Sequence, residues 1–254
     1  MARSLQGRER PDVTLIGRKP MRKYLLTFAS VGALAVAFAS PSNALIIDQF
    51  NGTQSVTANS TTPSSSSSDA TAIILGGERD VTVNWISGDL GATVNVVGGH
   101  IAYSADAGVI GSMSVWWDGV DGSPAVNPAG FAATDLTQGG INTAFGIDVI
   151  SADLGGGTLT ITACSTIATC FSVATGLPAG LGFGFDVDFS SFVGAPAGFF
   201  TSITHIRMDL THAIAAYDAE FDIFLTRGKV PEPATLALFG LGLAGLGLAR
   251  RRKA

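Results

Sequence analysis

Apolar and polar residues alternate with a period of two through most of the chain between residues 45 and 229. In Thr204-His205-Ile206-Arg207-Met208-Asp209-Leu210, the residues Ile206, Met208 and Leu210 fall on one face, and His205, Arg207 and Asp209 on the other. The same alternation sets Val81, Val83 and Trp85 against Thr82 and Asn84. It sets Leu159, Ile161 and Ala163 against Thr158, Thr160 and Thr162, and Phe185, Val187 and Phe189 against Asp186, Asp188 and Ser190. Phe221, Ile223 and Leu225 alternate with Asp222, Phe224 and Thr226. Such a period marks strands with one buried face. Runs around 93–97, 109–117 and 141–150 read as further strands, and Leu45 to Phe50 as an opening one. Turn formers separate them: Gly76-Gly77, Gly98-Gly99, Asp118-Gly119, Asp121-Gly122, Gly139-Gly140 and Gly155-Gly156-Gly157. No stretch in this region sustains a helical period. Residues 45–229 therefore predict one all-β domain, an antiparallel β-sandwich that is jelly-roll-like. Ser55 to Thr71, with Ser64 to Ser68 unbroken, has little apolar surface to bury and predicts a mobile loop.

The two ends follow another pattern. Arg22 and Lys23 precede an apolar stretch, Tyr24 to Ala39, closed by Ser40-Pro41-Ser42-Asn43-Ala44. Charge, apolar core and small residues at the −3 and −1 positions read as a signal peptide over 21–44, cut by signal peptidase after Ala44. Residues 1–20 are polar and Arg-rich. They read as a mis-assigned start, with Met21 the true one, or as an extended n-region. At the other end Val230-Pro231-Glu232-Pro233 leads into an apolar run of 16 residues, Ala234 to Ala249, then Arg250, Arg251, Arg252 and Lys253. The cations hold that end on the cytoplasmic side. The run predicts a transmembrane helix, although a full span takes roughly 20 residues, which suits a segment held in the inner membrane transiently. Residues 230–254, with Pro-Glu-Pro, helix and basic tail in order, resemble the PEP-CTERM sorting signal of Gram-negative bacteria. The resemblance implies recognition and cleavage at Pro231, Glu232 and Pro233 by exosortase, an intramembrane transpeptidase. It also implies export through the inner membrane and a final place at the cell surface or in the extracellular polysaccharide matrix.

Removal of both signals changes the charge. Four cations remain, Arg79, Arg207, Arg227 and Lys229, against 17 acids, a net of −13. Nucleic acid is excluded as a partner, because its phosphates demand cations. A chain so acidic draws divalent cations. Cys164 and Cys170, six residues apart in an exported chain, predict a local disulfide.

Catalytic templates are missing: there is no G-x-S-x-G, H-E-x-x-H, P-loop or dinucleotide fingerprint. His205 and Asp209 share a strand face about 13 Å apart, too far to hydrogen-bond. The expectation is a chain that is not an enzyme. Leu75-Gly76-Gly77-Glu78-Arg79-Asp80, after an opening Ile46-Ile47-Asp48-Gln49-Phe50-Asn51, resembles a group of exported PEP-CTERM proteins of unknown function. Arg79, amid so many acids, reads as half of a structural ion pair. In Trp116-Trp117-Asp118-Gly119-Val120-Asp121-Gly122, parity with Met113 and Val115 puts Trp117 in the core and Trp116 outward. An outward indole can stack on a sugar ring or be covered by a loop. Asp118 and Asp121 read as ordinary turn residues or as oxygen ligands to a structural Ca²⁺; no other cofactor is expected. The sequence thus predicts an exported, exosortase-processed, non-catalytic protein with a structural or adhesive role. The alternative is an extracellular carbohydrate-binding module that takes polysaccharide at Trp116.

Overall fold

The computed structural model describes residues 44–71 and 73–228. The signal peptide, its cut at Ala44 (itself described), the segment 1–20 and the sorting segment with Pro231, Glu232, Pro233 and the basic tail are sequence expectations; all but Ala44 lie outside the described residues. Thirteen strands fill the described part: β1 Leu45–Asp48, β2 Gln54–Ala58, β3 Ser64–Ala70, β4 Glu78–Ser87, β5 Ala92–Val97, β6 His100–Ala105 and β7 Ile110–Trp117. They continue with β8 Ala144–Ala152, β9 Gly157–Thr166, β10 Thr169–Leu177, β11 Gly180–Asp188, β12 His205–His212 and β13 Asp218–Arg227. Two single 3-10 turns, Phe189–Ser191 and Phe199–Thr201, are the only helical pieces among the described residues.

Every ladder is antiparallel, and the strands form two sheets. One runs β11-β8-β13-β6-β5-β2, with β1 also on β13; the other runs β10-β9-β12-β7-β4-β3. Sequence neighbours such as β4 and β5 lie in different sheets, so the chain crosses between layers in the manner of a jelly roll. The apolar parity positions meet between the layers: Val81, Val83, Met113, Val115, Trp117, Ile206, Met208 and Leu210 from one sheet, Val94, Ile101, Tyr103, Phe145, Ile147 and Phe221 from the other, all buried. One end of the core is aromatic. Phe145 sits within 6.1 Å, ring to ring, of Phe189, Phe192, Phe200 and Phe224, in geometries that such rings favour.

Two expectations need correction. The segment 55–71 is not a loop: it contributes β2 and β3. In β2 the side chains of Gln54, Val56 and Ala58 are buried and those of Ser55 and Thr57 exposed, an alternation hidden by polar residues. Strand β3 buries almost nothing. It forms because its backbone pairs with β4 from Ser64↔Asn84 to Ala70↔Glu78, because the Gln54 amide donates to Ser67 O, and because Arg79 holds Asp69. The second correction concerns β13. Phe221 is buried as expected, but Phe224 and Thr226 are buried after it, not Ile223 and Leu225. Phe221 pairs with Val149 and Phe224 with Ile147, three residues on β13 against two on β8. That bulge moves the rest of the strand to the other parity.

The expected disulfide is present. Cys164 and Cys170 are bonded and face each other across the β9–β10 hairpin.

Candidate functional site

The outward face of the six-stranded sheet is set by parity, and the register aligns its side chains into rows across the strands. One row runs Ser172, Thr162, Arg207, Trp116, Asp80, Ser68. The next runs Ala174, Thr160, Asp209, Ser114, Thr82, Ser66, and a third runs Gly176, Thr158, Thr211, Ser112, Asn84, Ser64. Most of these side chains are Ser or Thr, and none is aliphatic beyond Ala174. A sheet face left to water has no need of an indole, yet Trp116 stands in the first row.

Trp116 is half-buried, whereas Trp117 is fully buried. The Trp117 indole donates from Nε1 to Asp48 Oδ2 at 2.9 Å and its ring packs 5.0 Å from that of Phe224. Parity therefore assigned the pair correctly. Trp116 is not covered by β3 as a loop. Its neighbour is Arg207, whose guanidinium carbon lies 5.1 Å from the ring centre, a cation–π distance. Arg207 is itself fixed, with Nη2 2.6 Å and Nε 2.7 Å from Asp209 Oδ1, and Nε 3.1 Å from Ser114 Oγ. The result is a stiff group of indole, guanidinium and carboxylate flanked by hydroxyls. Such a group can stack on the apolar face of a sugar and exchange hydrogen bonds with its rim.

At the end of this face the chain between β7 and β8 folds over the sheet as a strap, residues 118–131. It covers the positions next to the first row. Glu78 Oε2 accepts from the Asp121 and Gly122 N–H groups, each at 3.0 Å. Asp118 Oδ2 accepts from Asn127 N–H at 2.8 Å. His205 Nε2 sits 2.9 Å from Asn127 O and Nδ1 2.7 Å from Thr204 Oγ1. The histidine that parity placed on the polar face is thus buried by the strap.

Asp118 and Asp121, paired in the sequence reading, have different surroundings. Asp118 is fully buried; Asp121 is exposed and its Oδ1 caps Ser123 N–H at 2.8 Å. The carboxyl that Asp118 meets is Asp80, from β4. Burial, followed by the charges of Asp118 and Glu78, pushes the Asp80 carboxyl up to about 8. Burial also raises Asp118, opposed by its bond from Asn127. Among the described residues no three His, Cys, Asp or Glu side chains are arranged around one point as a metal would need.

The segment Leu75-Gly76-Gly77-Glu78-Arg79-Asp80 is built into the sandwich and the strap. Leu75 N–H donates to Ile47 O at 2.8 Å. Gly76 has φ +82°, and a Cβ there would stand 2.9 Å from Phe131 of the strap, so only glycine fits. Glu78 and Asp80 point outward beneath the strap. Arg79 points inward and is fully buried. Its Nη1 lies 2.9 Å from Asp48 Oδ2, its Nη2 3.0 Å from Asp69 Oδ2, and its Nε 2.6 Å from Gln54 Oε1. The ion-pair reading of Arg79 holds. The partners were not legible, since they lie 31 and 10 residues away.

The remaining chemistry-bearing groups are engaged in structure. His212 is buried, with Nε2 2.8 Å from the Tyr103 hydroxyl and Nδ1 2.6 Å from Ile214 O. Desolvation by burial lowers its pKa, so the neutral ring donates from Nδ1 and accepts at Nε2. On the opposite sheet Arg227 bridges Asp186 and Asp148 beside a shallow depression of about 420 Å³ lined by Asp148, Phe183, Gly184 and Asp222.

Comparison with known proteins locates the chain. No curated protein matches it. Among solved structures it is similar to CtCBM11, at 14% identity over 76% of this chain and 99% of that one, TM-score 0.39. It is similar to a family 11 carbohydrate-binding module from Clostridium thermocellum in complex with a β-1,3-1,4-mixed-linked tetrasaccharide, at 12% identity over 76% and 100%, TM-score 0.38. It is also similar to a family 30 carbohydrate-binding module, at 12% identity over 75% and 90%, TM-score 0.34. At such scores the likeness carries no statement about ligand. The PEP-CTERM protein-sorting motif matches residues 229–253 and leaves Leu75–Asp80 outside it. The chain carries an exosortase sorting signal, and its destination is the cell surface or the extracellular space.

Proposed function

We propose that this exported protein is a non-catalytic adhesive module that holds extracellular polysaccharide on the outer face of its six-stranded sheet. The observation that carries the reading is the Trp116–Arg207–Asp209 group set among three rows of hydroxyls. Indole supplies stacking area, and the fixed Arg–Asp pair supplies donors and acceptors already oriented, which lowers the ordering cost of binding. The class of glycan follows from charge. Arg207 is neutralised by Asp209, and the exported domain is strongly acidic, so an uncharged polysaccharide fits and a polyanion is repelled. Exosortase and signal peptidase are the partners during export, with the inner membrane as a transient station. The sorting motif supports that part of the reading.

Glycan-array and insoluble-polysaccharide binding of the protein secreted from a host with an exosortase tests the proposal. Retention on neutral glycans is expected, lost in Trp116→Ala and Arg207→Ala variants with unchanged circular dichroism. Binding that survives both changes would place the ligand on another face.

A further inference from the structure

Charge is missing from one side of an otherwise acidic domain. The 32 residues from Leu154 to Phe185 contain no Asp, Glu, Lys, Arg or His. They build β9, β10 and most of β11. After Asp186 and Asp188 the chain is again free of such residues from Phe189 to Thr204. Strand β10 is an edge: it pairs with β9, and among the described residues no strand lies on its other side. Its outward row, Cys170, Ser172, Ala174 and Gly176, is exposed. In its inward row Phe171 and Val173 reach the core yet stay only half-buried. An open edge presents unpaired N–H and C=O groups, and proteins blunt it with charges, bends or cover. The other three edges are blunted. Strands β2 and β3 are tied to each other, since Gln54 Nε2 donates to Ser67 O and Oγ, and β3 carries Asp69. Strand β11 carries Asp186 and Asp188 and turns through Gly182 at φ +60°. Strand β10 has none of these devices.

We propose that β10 is a self-association edge, on which two copies of this chain pair antiparallel about a two-fold axis at Val173. The charge pattern selects a second copy as the occupant. Two domains of net −13 repel where their acidic surfaces meet, and the uncharged strand is where that repulsion is least. The strand is also complementary to itself in size. Antiparallel pairing centred on Val173 sets Phe171 opposite the second copy's Thr175, Ser172 opposite Ala174, and Cys170 opposite Gly176. A contact of this kind uses the same patch on both copies and closes, leaving no edge for a third. The backbone supplies the hydrogen bonds, and Phe171 and Val173 gain cover. The Cys164–Cys170 bond holds β10 on β9, so the edge is ordered before it pairs and the ordering cost falls. The two six-stranded sheets would join into one, with their outer faces on the same side. The two Trp116 groups would stand seven strand spacings apart, roughly 33 Å. The pairing does not rest on the glycan reading, although two such faces on one sheet would bind a polymer with avidity.

The test is the mass of the exported protein in solution, measured by sedimentation across a concentration series with no glycan present. Twice the mass of one chain is expected at the upper end, falling reversibly to one on dilution. Ser172→Lys/Ala174→Lys sets lysine opposite lysine at two places in the antiparallel register. It is expected to weaken the dimer by roughly tenfold or more, with unchanged circular dichroism. Ser172→Asp/Ala174→Lys sets each aspartate opposite a lysine and is expected to restore the dimer. Amide hydrogen exchange gives a readout that needs no variant: exchange along β10 is expected to slow as the dimer forms. Four results overturn the proposal. One is a monomer at every concentration. Another is a dimer that the double-lysine variant leaves intact, which puts the contact on another surface. The third is open-ended oligomers in place of a closed pair. The fourth is a dimer whose β10 amides exchange as they do in the monomer. Since no glycan enters these measurements, their failure leaves polysaccharide binding untouched, and a failure of polysaccharide binding leaves the dimer untouched.

Discussion

Replacing Arg79 by Met removes the one buried Arg or Lys among the described residues while keeping most of its length. Its partner Asp48 is 1% exposed, so its charge would lose its counter-ion without gaining water. Phe50 N–H at 2.7 Å and Trp117 Nε1 at 2.9 Å still donate to it, but neither carries charge. Removing one member of a buried pair costs about 3–5 kcal/mol. Asp69 is 25% exposed and rehydrates, so its share is small, at most about 1 kcal/mol. The loss is a large part of the roughly 5–15 kcal/mol that holds a domain together. With a urea slope of about 1–3 kcal/mol/M, the midpoint of an equilibrium urea melt, followed by Trp fluorescence, should fall by roughly 1–5 M. The double variant Arg79→Met/Asp48→Asn removes the stranded charge but keeps an oxygen for only one of the two donors, since Phe50 N–H serves Oδ1 and Trp117 Nε1 serves Oδ2, so it should regain part of the loss. An Arg79→Met midpoint within error of wild type, or a double variant no better than the single, would refute the charge argument.

Other outcomes follow from the same geometry. Trp117→Ala should cost about 3–5 kcal/mol as a large-to-small core change, and Trp116→Ala about 1 kcal/mol or less; paired urea melts decide. Burial, followed by the charges of Asp118 and Glu78, raises the Asp80 carboxyl from its ordinary 3.8 to about 8 in the folded state. Its contribution is therefore most favourable at low pH, declines as pH rises from about 4 to about 8, and is flat above. The stability difference between Asp80→Asn and wild type should grow over that window in favour of the variant, and a difference independent of pH would contradict it. Intact-mass analysis of the secreted protein should give a chain that begins near Leu45 and ends between Pro231 and Pro233. A native species still carrying Arg250 to Lys253 would oppose exosortase processing.

How far the sequence reveals this molecule depends on whether a residue's role is local. In β7 and β12 a period of two runs unbroken, and the core face Met113, Val115, Trp117, Ile206, Met208 and Leu210 was legible, as was the outward setting of Trp116. In β13 the same period misled after Phe221, because the bulge that shifts it is made jointly with β8. Strand β3 was illegible for a different reason. Its five serines form a strand through the backbone of β4, and no side-chain pattern records that. The disulfide was legible because it closes a hairpin within one short segment. The contact between the buried Asp80 and Asp118 carboxyls was not. Asp80 and Asp118 are 38 residues apart in sequence and meet only because β4 and β7 are neighbours and the strap folds over both. Read in sequence, Asp118 pairs more naturally with Asp121, three residues on.

Polysaccharide binding at the Trp116 face is tested most directly by titration of the secreted protein with neutral soluble polysaccharides, followed by Trp fluorescence and calorimetry. Wild type should bind with a fluorescence change that disappears in Trp116→Ala, while Trp116→Phe keeps part of the affinity. No binding across neutral glycans, or binding unchanged in Trp116→Ala, would contradict the assignment of this face as the polysaccharide site.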